Sequence, residues 1–100
     1  MTEAAVLIVV EITAVRDADQ LKAYQIGARA QLAEHGGIVV ARGTSPVEGS
    51  PPLGMLLIQK WPSEQAFRDW QDSEAYKPLK SLRQQCVDMR IAVVPLVQPL

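Results

Sequence analysis

The chain has 100 residues, 48% hydrophobic and 21% charged, with ten Lys and Arg against eleven Asp and Glu. Such a composition excludes a disordered segment and offers no net attraction to nucleic acid or to an anionic membrane surface. The length is that of one domain with one core, and a single cysteine, Cys86, excludes an intrachain disulfide.

The first predicted element is a strand over Ala4 to Ala14. Val6, Ile8, Val10 and Ile12 make one face apolar, and Ala5, Leu7 and Val9 do the same for the other, which is the pattern of a strand covered on both sides. Its longest apolar run, Ala4 to Val10, falls far short of the ~20 residues of a membrane span. Glu3 stands where an export signal carries positive charge, so the expected compartment is the cytoplasm. Asp17 or Asp19 then caps a helix in which Leu21, Tyr24, Ala28 and Leu32 recur on one face, and Lys22, Gln25, Arg29 and Gln31 lie outside. Gly36-Gly37 ends it, glycine being the residue that a left-handed C-cap favours.

Ile38 to Arg42 is a second strand, Gly43 to Leu53 a loop with three prolines and two glycines, and Gly54 to Trp61 a third strand. Ser63 caps a second helix with Glu64 in its first turn and Ala66, Phe67 and Trp70 as its apolar stripe. Ser73 to Lys77 reads as a turn, and Pro78, tolerated only near a helix start, opens a short helix to Gln85. Val87 to Val94 alternates as a last strand. The order βαββαβ is that of an α+β, ferredoxin-like fold with an antiparallel sheet and helices on one face. Two main helices cover one side of four strands, yet the first strand is apolar on both, so a homodimer joined through the open face is expected.

Several strings recur in an order and spacing that resembles the family of small proteins known as domain of unknown function 1330. They are Gly36-Gly37, Arg42-Gly43, Val47-Glu48-Gly49, Trp61-Pro62-Ser63, Asp72-Ser73-Glu74-Ala75-Tyr76 and Leu82-Arg83, and together they span about Val6 to Val94. The resemblance implies a ferredoxin-like subunit that pairs into a dimeric α+β barrel. It implies no activity of its own. Relatives by fold include small cofactor-independent monooxygenases, isomerases and dehalogenating enzymes, so any enzymatic expectation comes by fold analogy. Two positions depart from the pattern: Lys60 stands where the family often has an acid, and Thr44 where it often has a second glycine.

No phosphate-loop, dinucleotide, nucleophile-elbow or zinc-protease motif occurs, and one His with one Cys makes no common zinc site, so neither a metal nor a cofactor is expected. Glu11 interrupts the apolar first strand. Facing the barrel interior, it is a carboxylate in low dielectric and suits a general base; at the end of the strand, it is half-solvated. His35 is either a second acid/base candidate or a helix-end residue bonding the last carbonyls. Asp88 and Arg90 share a face and pair with each other or across to the first strand. Tyr76 and Arg83, seven apart, share a helix face as far as Pro78 permits, and a phenol beside a guanidinium holds a carboxylate or enolate oxygen. Alternatively Tyr76 packs under the Ser73 turn, and Arg83 bonds helix-end carbonyls or Glu48. Arg42 is a second anion holder, and Trp61 walls a pocket or fills one. The functions weighed are a small cofactor-independent enzyme acting on an apolar, oxygen-bearing organic molecule (Glu11, His35 and Arg83 catalytic; Arg42, Trp61 and Tyr76 binding), a non-catalytic binding or accessory dimer, and a structural dimer with no ligand.

Overall fold

Seven elements follow one another: β1 (Val6–Val15), α1 (Ala18–Glu34), β2 (Ile38–Arg42), β3 (Met55–Trp61), α2 (Glu64–Gln71), α3 (Lys77–Cys86) and β4 (Val87–Pro95). The computed structural model describes residues 4–50 and 53–97. Glu3, and Pro51 and Pro52 of the predicted loop, lie outside the described residues.

The four strands form one sheet in the order β2-β3-β1-β4, with every neighbouring pair antiparallel. This is the ferredoxin-like α+β arrangement that the element order predicts. Register sorts the faces. Val10 lies between Leu57 and Ile91, Ile8 between Gln59 and Val93, and Val6 opposite Trp61, so the even positions of β1 share one face with the odd positions of β3 and β4. That face meets the helices: Val6, Ile8 and Val10 are buried in one core with Ala28, Leu32, Trp61, Phe67, Trp70 and Tyr76. The opposite face carries Leu7, Val9, Leu56, Ile58, Ala92 and Val94, none of them fully buried.

Local chemistry sets the helix ends as expected. Asp17 caps α1 by accepting from Gln20 N at 3.0 Å, and Ser63 caps α2 by accepting from Ala66 N at 3.0 Å. At the far end of α1, Gly36 N donates to Ala33 O (3.3 Å) and Gly37 N to Leu32 O (3.0 Å), the paired bonds of a Schellman motif. Gly36 carries the positive φ, +94°. Gly37 does not, so left-handed strain is not what a side chain there would meet: it is constrained by close approach, because a Cβ would sit 2.5 Å from the Trp61 ring. Pro78 falls in the first turn of α3, where no helical hydrogen bond is lost.

Candidate functional site

A cavity of about 100 Å³ lies between the covered face of the sheet and the helices. The sheet contributes Val10, Ile12, Leu57, Gln59 and Met89, and α1 and α2 contribute Tyr24, Ala28, Leu32, Phe67 and Trp70. Tyr76 and Arg83 complete the wall, and the exposed Gln25, Arg29 and Arg42 border its outer end. No Asp, Glu, His, Cys or Lys of the described residues lines it.

The string from Asp72 to Tyr76 earns its place by positioning one phenol. Ser73 Oγ donates to Trp70 O at 2.7 Å and accepts from Tyr76 N at 3.3 Å, so α2 hands over to α3 through a turn stitched by one serine. Gln31 of α1 locks the same corner: its Nε2 donates to Ala75 O (2.9 Å) and its Oε1 accepts from Trp70 Nε1 (3.1 Å). Tyr76 is fully buried, its ring 4.5 Å from that of Trp70.

Two turns further on, Arg83 reaches back. Its Nη1 donates to Tyr76 Oη at 2.9 Å, and Tyr76 Oη shares a 2.6 Å bond with Tyr24 Oη. The guanidinium carbon sits 5.9 Å from the centre of the Tyr76 ring. Arg83 is 9% exposed, yet no carboxylate pairs with it among the described residues. Glu48, offered by the sequence as its partner, is exposed on the loop. Burial, and then Tyr76 with its hydrogen bond, raise the Tyr24 phenol above its ordinary range, so it keeps its proton at neutral pH.

Of the residues singled out in the sequence, Arg42, Tyr76 and Arg83 meet at this cavity. Trp61 does not line it: the ring is 1% exposed, stacked on Trp70 at 5.4 Å, with its Nε1 donating to Gln59 Oε1 at 2.8 Å, and it fills the core. His35 lies at the exposed end of α1 with Nδ1 2.8 Å from Gln31 O, a helix-end contact away from the cavity. Glu11 shares the open face with Leu7 and Val9, where its carboxylate accepts from Gly54 N (2.9 Å) and Arg90 Nε (2.8 Å). Asp88 pairs with Arg16 and not with Arg90. Tyr24, Gln59 and Arg29 belong to the site without having been singled out. Tyr24 stands on the predicted apolar stripe of α1, and a hydroxyl in such a stripe needs a partner. Gln59 interrupts an apolar strand at an inward position.

The Gly54 hydrogen bond first, and Arg90 second, hold the Glu11 carboxyl below its ordinary 4.5. A carboxylate with a depressed folded value stabilises the fold above its unfolded value, and the contribution disappears as pH falls through the folded one. Thermal unfolding of Glu11→Gln is therefore expected to show a deficit against the parent at pH 6 that closes as pH falls below 4.5. A deficit independent of pH would remove the charge from the explanation.

Among the described residues no three His, Cys, Asp or Glu stand together as a metal-holding group, and no helix is long and apolar enough to cross a membrane. Residues 5–97 match the family model described as a domain of unknown function, DUF1330. The chain belongs to the DUF1330 family.

No curated protein matches this DUF1330 chain. Among solved structures it is similar to a protein of unknown function from Rhodopseudomonas palustris (TM-score 0.78, 20% identity, 97% of this chain and 85% of that one). It is also similar to a variant of SnoaB, a cofactor-independent oxygenase from Streptomyces nogalater (TM-score 0.69, 20% identity, 96% of each chain). A third neighbour is a dimeric ferredoxin-like protein of unknown function from Thermobifida fusca (TM-score 0.62, 12% identity, 94% of this chain and 92% of that one). At these identities the likeness is one of fold.

Proposed function

We propose that this DUF1330 protein is a small enzyme that works without a resident cofactor on an apolar, oxygen-bearing organic molecule bound between the helices and the sheet. The observation that carries the proposal is Arg83: a buried guanidinium whose only side-chain bond among the described residues is to the Tyr76 phenol, at the wall of a largely apolar cavity. Burying a charge without a counter-charge is costly, and proteins keep such groups where a ligand supplies the missing charge. Tyr76 and Tyr24 hold the guanidinium in place, so the geometry exists before the ligand arrives.

The oxygenase among the fold neighbours offers one reaction class by analogy. In that class the substrate supplies the electrons: an activated methylene and dioxygen give a carbonyl and water, one oxygen atom going to each. The test is dioxygen uptake with enolisable ring ketones, in buffer free of added metal or flavin. Substrate-dependent uptake that is lost in Arg83→Met is the expected result. The second reading, a binding protein without chemistry, is favoured by one observation, the lack of any Asp, Glu, His, Cys or Lys in the cavity wall among the described residues. Ligand binding with no turnover across the panel would establish that reading instead.

We also propose that two copies join through the open sheet face, where Leu7, Val9, Leu56, Ile58, Ala92 and Val94 make a continuous apolar patch. Such patches are rare on soluble monomers, and one fold neighbour is described as dimeric. Light scattering on a sizing column is expected to give twice the 11.0 kDa chain mass. A stable monomer at micromolar concentration would contradict it. The lone, buried Cys86 fits a reducing compartment, and we place the site of action in the cytoplasm.

A further inference from the structure

The chain has six arginines. Arg16, Arg68 and Arg90 each pair with a carboxylate. Arg29, Arg42 and Arg83 pair with none among the described residues, and these three are the ones that border the cavity.

Apart from Gln25 and Gln71, whose amides both donate and accept, the polar groups closest to Arg83 offer hydrogens as well. Arg83 commits Nη1 to Tyr76, and no buried side-chain nitrogen or oxygen of the described residues lacks both a partner and an opening, so Nε and Nη2 open onto accessible space. Two phenols share one hydrogen bond, and Tyr76 Oη accepts from Arg83, so one hydroxyl proton is left over whichever tyrosine donates to the other. The donor-only indole of Trp61 fixes the Gln59 amide with its oxygen toward Trp61, which leaves the NH2 as the free end. Guanidinium, phenol and amide all present hydrogens. Among the described residues no Asp, Glu, His, Cys or Lys stands in the wall to take a proton from an incoming molecule.

The geometry points to a site that takes its ligand as a preformed oxyanion, a carboxylate or an acidic enol already ionised at neutral pH, carried on one apolar ring. The inference rests on the cavity reading above and narrows it to a charge class. An acceptor-only head takes the hydrogens offered by Arg83, the tyrosine pair and Gln59, and its charge meets the unpaired Arg83. Size limits the body: a cavity of roughly 150 Å³ holds benzene in another protein. This one, at about 100 Å³, takes part of a ring and leaves the remainder at the mouth between Arg29 and Arg42.

Calorimetry on the full chain at pH 7 tests this with two anions, benzoate and the enolate of cyclohexane-1,3-dione, and two neutral counterparts, benzamide and cyclohexanone. Each anion is expected to bind at least about tenfold tighter than its counterpart, the worth of one charge-assisted hydrogen bond. Preference for benzoate assigns a carboxylate head, and preference for the dione an enolate head. Arg83→Met is expected to remove the selectivity. Arg29→Gln with Arg42→Gln, both at exposed positions, is expected to weaken the anions alone and to reduce the salt dependence of binding. Neutral counterparts binding as tightly as the anions would overturn the inference and leave the cavity reading standing. No binding by any of the four would overturn both.

Discussion

Arg83→Met is expected to leave the protein as stable as the parent or more so, while abolishing its preference for anions. The argument is a balance of two terms. The substitution gives up one hydrogen bond, Arg83 Nη1 to Tyr76 Oη. It also removes a buried cation that no acid neutralises among the described residues. A net hydrogen bond contributes about 1 kcal/mol, and even a paired buried charge replaced, with its partner, by apolar side chains of similar volume is often neutral or stabilising by about 1–4 kcal/mol. The second term wins, and a gain of about 1 kcal/mol raises Tm by roughly 4–8 °C in a domain of this size. Arg83→Ala is a poorer test, since it also opens space in the core. A fall of more than about 5 °C in Arg83→Met would mean that the guanidinium holds the fold together, the outcome toward which the sequence alone leaned.

Gly37→Ala is expected to be strongly destabilising. The added Cβ would lie 2.5 and 2.6 Å from two Trp61 ring carbons and 2.9 Å from Leu32 Cγ. Neither neighbour can give way. Trp61 is stacked on Trp70, edge-on to Phe67 at 5.4 Å and tied to Gln59, and Leu32 is in the same core. Overpacking of this kind costs about 3 kcal/mol, a fall in Tm of roughly 12–24 °C. Gly36→Ala, one residue earlier, meets Pro62 at 3.4 Å and suffers chiefly from its φ of +94°. It should cost only about 1 kcal/mol. Equal losses at the two positions would refute the packing account of Gly37.

These two glycines also show how far the sequence carries. A Gly-Gly pair after an amphipathic helix identifies a C-cap, and the Schellman bonds are where that pattern puts them. Which glycine bends and which makes room depends on Trp61, a residue from β3, and no local pattern contains that contact. Glu11 stays open between two readings in the sequence for a related reason. Alternation places it with Leu7 and Val9, but both faces of β1 are apolar, so the strand itself does not say which face the helices take. Tyr76 and Arg83 were legible because they are local: seven residues on one helix face, with Pro78 in the first turn where it breaks nothing. Tyr24 and Gln59 join them only through the packing of α1 and β3, which is long-range.

The central claim is that the cavity is an anion site built on Arg83. A crystal structure of the parent protein grown with cyclohexane-1,3-dione at saturating concentration tests it most directly. The account predicts the ring between α1, α3 and the sheet, with one enolate oxygen within hydrogen-bond distance of Arg83 Nε or Nη2 and the other toward the Tyr24–Tyr76 pair or the Gln59 amide. A cavity holding only water under those conditions, or a ring bound with its oxygens turned away from Arg83, would contradict it.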